Sequence, residues 1–299
     1  MKIYIYPVES QFQPTHQNYV WPPQNQRPNC DFGVEQDFLW WIQKNPELLV
    51  DDIKDADWIY LPIFLNRRFI NILDNEGHWG GGTEELAEKI YEVNKYEMPV
   101  FTISEADEFD LHPQIDWGDL TMFISSRRGN KGINIPLLSA SHILPEVIPE
   151  KKYLASFVGS LITDGAREMM QDKLSGRDDC WVEHGGNGEE YFVNLMLESY
   201  IALCPRGKAA QSYRFYEAMQ LGVVPLYISD EDCRPFRNWI DWDICSFWLT
   251  KADNISEYLD ALNHKGKLLR MGCIAKYTYD EFLSYGNWEK FTIRELELL

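Results

Sequence analysis

The sequence predicts an α/β fold made of two successive parallel-sheet halves, and three observations carry that expectation. Short apolar runs alternate with longer stretches of helical period along the whole chain, the pattern of parallel strands joined by crossover helices. The rhythm starts afresh after a proline- and charge-rich stretch at residues 145–151, which reads as a linker. Residues 199–230 then read as strand, loop, helix, turn and strand in one continuous unit. With 299 residues and 45% hydrophobic content, the chain suffices for one large or two ordinary domains. No internal repeat and no low-complexity tract interrupts it.

The first half opens with a strand at 2–6, alternating around Ile3 and Ile5. A polar loop rich in Pro, Gln and Asn follows at 7–32; Phe12, Tyr19 and Trp21 give it either an acceptor-contacting or a packing role. A helix is expected over 33–44, turning Phe38, Leu39, Trp41 and Ile42 inward. Next come a turn at 51–57 and a strand at 58–64. Residues 66–83 hold His78, Trp79 and three glycines (Gly80, Gly81, Gly82) and read as a mobile active-site loop or a plain flexible one, without the Lys and Ser/Thr of a phosphate-binding P-loop. Thr83 caps a helix to residue 96, with Leu86, Ile90 and Val93 on its core face. A strand at 99–103 empties into Ser104, Glu105, Ala106, Asp107 and Glu108, and parallel α/β sheets bind ligands at such carboxyl ends. A further strand at 120–124, a basic turn at 125–131 and an extended stretch at 133–137 lead to the linker.

The second half repeats the logic. A strand at 153–158 ends at Gly159 and Ser160, and a helix over 165–174 begins near Arg167. A short strand at 180–182, a helix at 188–197 and the central 199–230 unit follow. In that unit an apolar run stops at Pro205, Arg206, Gly207 and Lys208 form a basic loop, and Ser212 is placed to cap a helix carrying Arg214, Phe215, Glu217, Ala218 and Leu221. Gly222 is placed to end that helix in the left-handed conformation. Phe247 and Trp248 mark a late strand, and 254–264, 266–282 and 287–298 read as closing helices.

Composition excludes several classes. A formal net charge of -19 argues against nucleic acid or an anionic membrane as partner, though not against an anionic small ligand in a local basic pocket. Six cysteines (Cys30, Cys180, Cys204, Cys233, Cys245, Cys273) show no C-x-x-C or zinc spacing and are expected to be reduced thiols. No apolar run is long enough to span a bilayer and the first residues form a strand, not a signal peptide; the expectation is a soluble intracellular or cytoplasmic protein without membrane insertion. The 11 Trp and 16 Tyr are expected to serve both core packing and sugar-facing platforms. A dinucleotide-type enzyme such as a sugar epimerase needs G-x-G-x-x-G after the first strand, where this chain reads YPVESQ.

The basic loop stands against the acidic whole. Arg206, Lys208 and Arg214 fall within nine residues, with no acid until Glu217. Arg214 and Glu217, three apart, share a helix face; they form either a solvated ion pair or a cation for a phosphate beside a carboxylate for a sugar hydroxyl. The runs SYIALCPRG, SYRFYEAM and LGVVPLYISD, then Pro235–Phe236 and Ile240-Asp241-Trp242, resemble in order and spacing the exostosin-like enzymes of glycosyltransferase family 47. Phe157, Gly159 and Arg167 match an upstream element of the same pattern. The first half matches only loosely, through Glu35, Ala56, Asp57 and Pro62. Family members are often Golgi-anchored; a trimmed enzyme, a bacterial protein or one encoded by a large algal DNA virus would each fit a chain this compact.

The resemblance implies a GT-B fold, two Rossmann-like lobes facing a central cleft. Residues 1–148 would form the acceptor-side lobe and 149–299 the nucleotide-sugar lobe, with the last helix packing back on the first. It implies an inverting transfer of a sugar from a UDP-sugar to a hydroxyl of an oligosaccharide or glycoprotein glycan, with xylose the working choice among family donors. Arg167, Arg206 and Arg214 would face the diphosphate, helped by N–H groups around Gly159, Gly207 and Ser212; Phe157, Ser160 and Pro205 would belong to the same donor site, and Glu217 would hold the ribose. The proton-accepting base would come from the first lobe, among Asp107, Glu105, Glu35 and His78. No metal or other cofactor is expected: the triplets Asp55-Ala56-Asp57 and Asp241-Trp242-Asp243 look like metal motifs, but both arise easily by chance in so acidic a chain. The competing reading is a catalytically weak glycan-binding or partner-stabilising protein that keeps the fold.

Overall fold

The computed structural model describes residues 1–9, 12, 33–65, 83–106, 115–126, 131–139, 141–186 and 188–299. Tyr19, Trp21, Cys30, His78, Trp79, the three glycines 80–82, Asp107 and Glu108 lie outside them. The chain divides into two units, one of Met1–Leu138 with Glu289–Leu299 and one of Ser139–Trp288. Each contains a five-stranded, wholly parallel sheet, so the α/β class with two parallel-sheet lobes holds.

In the first unit the strands β1 (Ile3–Ile5), β2 (Trp58–Tyr60), β3 (Val100–Ala106), β4 (Thr121–Ser126) and β5 (Ile133–Asn134) lie side by side in chain order. Their alternation sorts the core into two faces. On one, Phe38 of helix α1 (Val34–Gln43) packs on Tyr60 and Phe101, with ring centroids 5.1 and 5.8 Å away. On the other, Ile59, Val100, Met122 and Ile124 meet Leu86, Ile90 and Val93 of helix α2 (Thr83–Asn94), the core face expected of that helix. Two boundaries differ from the sequence reading. Strand β2 ends at Tyr60, short of the expected residue 64, where Phe64 takes a positive φ of 46°. Strand β3 runs on to Ala106 because its pairing with β4 continues through Ala106↔Ser126; Glu105 therefore sits inside the strand and is buried.

The second unit holds β6 (Tyr153–Gly159), β7 (Cys180–His184), β8 (Ser199–Pro205), β9 (Val224–Ile228) and β10 (Phe247–Leu249), in the order β10-β9-β8-β6-β7. The chain steps from β6 to β7 on one side through helix α3 (Gly165–Leu174). It then returns past β6 through helix α4 (Glu189–Leu197) to lay β8 on the other side. Helix α5 (Tyr213–Gln220) joins β8 to β9. The reversal between β6 and β8 is a topological switch point, where two loops leave the sheet in opposite directions and open a crevice. Along β8, Ile201 and Leu203 enter the main apolar cluster with Leu154, Phe157, Met170 and Leu226, while Cys204 points to the face occupied by Arg214 and Glu217.

Helix α5 ends as its sequence requires. Gly222 has φ 68°, its N–H donates to the Met219 carbonyl, and the Val223 N–H donates to the Ala218 carbonyl, a complete Schellman motif. Helix α7 (Lys265–Thr278) crosses that turn through Gly272; a Cβ there would overlap the Gly222 carbonyl oxygen. Helix α6 (Ile255–Leu262) precedes α7, a π-helical turn at Tyr279–Leu283 follows it, and helix α8 (Trp288–Leu296) closes the chain. Among the described residues Cys180, Cys204, Cys233, Cys245 and Cys273 are free thiols. No helix among them is long and apolar enough to cross a membrane.

Two glycines of α7 give opposite expectations. Gly272→Ala forces backbone against backbone and should lower the unfolding free energy by about 1–3 kcal/mol in urea titrations. Gly266→Ala meets only the flexible Arg270 side chain, at 4.0 Å, and should be neutral or stabilising by up to about 1 kcal/mol.

Candidate functional site

The crevice at the carboxyl ends of β6 and β8 gathers the predicted second-half residues. Its floor is Arg214, in the first turn of α5. The guanidinium lies over the Phe157 ring at 4.2 Å and within 5.5 Å of Phe192 on α4. One terminal nitrogen donates to the Val158 carbonyl, while Nε is buried with no hydrogen-bond partner among the described residues. Burial pushes the Arg214 pKa down, opposed by the negative charge of Glu217. Gly159 is required above it: its φ is 151°, and a Cβ there would stand 2.6 Å from Arg214 Nη2.

The three arginines that looked equivalent in the sequence have different surroundings. Arg167, on α3, bridges the two loops of the crevice. Its Nε donates to the Arg206 carbonyl at 2.9 Å and Nη1 to the Ser160 carbonyl at 2.8 Å, with longer contacts to Thr163 Oγ1 and the Pro205 carbonyl. These hydrogen-bond acceptors are neutral; burial, then the Arg214 charge, bring its pKa to about 10, and the Asp164 charge opposes them only in part. Arg206, by contrast, pairs with Asp230 and lies 3.6 Å from Asp164. The crevice therefore concentrates positive charge on Arg167 and Arg214, two guanidinium groups that burial and mutual repulsion leave in want of an anion.

The loop geometry supports this. Asp164 caps α3 by accepting from the Ala166 N–H at 2.9 Å. Thr163 Oγ1 donates to Ser160 Oγ at 3.0 Å, and the Leu161 N–H donates to His184 Nδ1 at 3.1 Å. The close approach of Gly207 to Arg167 leaves a Cβ there only 3.3 Å from its Nη2. Ser212 occupies the cap position of α5 in extended conformation, but its side chain accepts no capping bond, which corrects the sequence expectation. The residue is buried, and its side chain does not close the first-turn donors.

Glu217 pairs with neither Arg214 nor Arg167. Its Oε1 lies 3.3 Å from Nε2 of His142, whose Nδ1 lies 3.0 Å from Glu189 Oε1. His142 drew no notice in the sequence, because a lone histidine 75 positions from its partner leaves no local signal. The Pro235–Trp242 segment, matched as motif, is a buttress. Trp242 packs on Phe215 of α5 with centroids 5.5 Å apart, and its Nε1 donates to the Pro235 carbonyl at 2.8 Å. Asp241 caps a short 3-10 turn through the Asp243 N–H. Among the described residues no cluster of three or more His, Cys, Asp or Glu is arranged to hold a metal ion. Of the base candidates, Glu35 and Glu105 are buried in the first unit, and Asp107 and His78 lie outside the described residues.

A parallel sheet with a cationic crevice at its switch point suits an anionic ligand. The exostosin GT47 domain matches residues 104–262, more than half of the sequence, and the chain belongs to that family. The exostosin-1 homolog of Caenorhabditis elegans is 27% identical over 159 residues, covering 45% of this chain and 41% of the worm protein. Human ribitol-5-phosphate xylosyltransferase 1 is 31% identical over 104 residues, covering 31% of this chain and 23% of the human protein. The chain thus spans well under half the length of these relatives. The crystal structure of HepE from Anabaena, with UDP and glucose, overlaps 88% of this chain and 81% of its own at a TM-score of 0.41 and 8% identity, too little likeness to carry an argument.

The bridging geometry of Arg167 makes a prediction. Arg167→Lys keeps the charge but cannot reach the Ser160 and Arg206 carbonyls together, and should cost about 1–3 kcal/mol in denaturant titrations. An unchanged midpoint would show that the guanidinium fork does not hold the two loops.

Proposed function

We propose that this protein is an inverting glycosyltransferase that moves a sugar, with xylose the first choice, from a UDP-sugar to a glycan hydroxyl. The observation that carries the reading is the Arg214 guanidinium at the switch point, buried against Phe157 with an unpartnered Nε, in a chain of the exostosin GT47 family. Two parallel-sheet lobes in one chain agree with a GT-B enzyme. The similarity to a xylosyltransferase supports the sugar choice.

In this reading the departing UDP gains negative charge as the glycosidic bond breaks. Arg214 and Arg167, with the N–H groups near Gly159 and Gly207, stabilise that charge in a partly dry site, where fixed donors act more strongly than in water. Glu217 accepts hydrogen bonds from the ribose hydroxyls and sets the register of the nucleoside. The acceptor hydroxyl gives its proton to a carboxylate or histidine of the first unit, drawn from Glu35, Glu105, Asp107 and His78. The sugar passes in one displacement with no covalent intermediate. No metal takes part in this scheme.

Calorimetry of the folded protein with UDP, GDP, CMP and UDP-xylose tests the donor assignment. Selective UDP and UDP-xylose binding is expected, and no response to any nucleotide would leave a glycan-binding protein. Arg214→Ala and Glu217→Ala should each raise the donor KM by about tenfold or more, the size of one lost charge-assisted hydrogen bond, without unfolding the chain. Wild-type kinetics in both would remove these residues from the site. Activity should survive EDTA; loss that manganese restores would overturn the metal-free scheme.

A further inference from the structure

His142 is held in a way that donor binding alone does not require. Its imidazole lies between two helices, Nδ1 facing Glu189 of α4 at 3.0 Å and Nε2 facing Glu217 of α5 at 3.3 Å. The ring packs on Phe192 with centroids 5.6 Å apart, and only 7% of the side chain is exposed. Its backbone N–H donates to Gln220 Oε1 at 3.3 Å. Gln220 Nε2 in turn donates to Ser139 Oγ and to the Tyr279 hydroxyl, both at 2.9 Å. The segment that carries His142 is therefore fastened to α5 independently of the ring.

The geometry selects a protonation state. A carboxylate only accepts hydrogen bonds, and a neutral imidazole has a single N–H. Only the imidazolium can donate to both Glu189 and Glu217. Burial by itself would push the His142 pKa down, but hydrogen bonds and charge from Glu217 and Glu189 outweigh it and hold the group above its ordinary 6.5. Among the described residues, Arg214 shares the Phe192 ring with it, and Tyr279 of the π-helical turn interacts electrostatically with Glu217. Tyr279 is pushed up to about 12 by burial and keeps its proton through the neutral range.

We propose that His142 is a positioning residue of the donor site: its imidazolium fixes the Glu217 carboxylate, and donor affinity weakens as pH rises and that proton is lost. The proposal rests on Glu217 holding the donor ribose. When the ring is neutral, one nitrogen presents a lone pair to a carboxylate. Repulsion then replaces one of the two bonds, and Glu217 loses its fixed orientation. The contacts of Arg214 and Arg167 are untouched, so the change falls on donor KM more than on kcat. The sign follows from linkage: a raised pKa in the folded state means the bridge is fully present below 6.5 and is lost as pH climbs through the raised value.

The test uses the full chain with UDP-xylose, whose esterified diphosphate keeps its charge across the range. Donor KM, or Kd by calorimetry, is followed from about pH 6 to about pH 9, with thermal melts at each pH to confirm folding. Wild type should weaken by about fivefold to tenfold, the loss of one charge-assisted contact. His142→Gln should show a flat profile. Glu189→Gln, which leaves Glu217 in place, should move the step to lower pH, and histidine NMR titration should show the His142 pKa falling in both Glu189→Gln and Glu217→Gln. A flat wild-type profile with intact UDP-xylose binding overturns this inference alone. So does a step that persists in His142→Gln, or a His142 titration that ignores Glu217→Gln. Absence of UDP-xylose binding to folded wild type overturns the donor reading and this inference with it.

Discussion

The burial of one guanidinium shapes the second lobe. Removing an arginine charge from water is unfavourable unless other interactions replace the lost hydration. Arg214 receives only part of that replacement: the Phe157 and Phe192 rings, the Val158 carbonyl and the field of Glu217. Gly159 stands over it in a conformation that favours glycine, and a Cβ there would crowd Arg214 Nη2. The remaining deficit of negative charge is what makes the crevice a site and not simply a packed corner.

Its neighbours are arranged so that this deficit persists. Arg167 is satisfied by carbonyls, which fill its donors without cancelling its charge. Asp164 and Asp230 pair with Arg206, and the charge of Asp164 on Arg167 is outweighed by burial and by Arg214. A protein of formal net charge -19 thereby keeps a local positive field at the switch point of one sheet. Such a field, short in range at physiological salt, attracts a compact anion and leaves the acidic surface to repel extended ones.

Position is then a matter of bracing α5, which carries both Arg214 and Glu217. Trp242 supports Phe215 on one side, the Schellman turn at Gly222 fixes the carboxyl end, and α7 lies against that turn through Gly272. His142 and Gln220 tie the segment that carries Ser139 and His142 to the same helix. These contacts come from parts of the chain far apart in sequence, and together they position the helix that carries both side chains.

The strand–helix alternation, the 199–230 unit with its glycine stop, and the family, through several motifs in fixed order, are legible along the chain. Those features are local or depend on spacing along the chain, and backbone geometry and hydrophobic period express them directly. Only the tertiary structure separated Arg206, neutralised by Asp164 and Asp230, from Arg167 and Arg214, because charge compensation depends on which acids fold nearby. Only it showed Ser212 without its cap bond and Glu105 within a strand, since pairing with β4 outlasts the apolar run. And only it brought His142 between Glu189 and Glu217: three residues with no common motif meet because two helices and the segment before the linker converge on one ring.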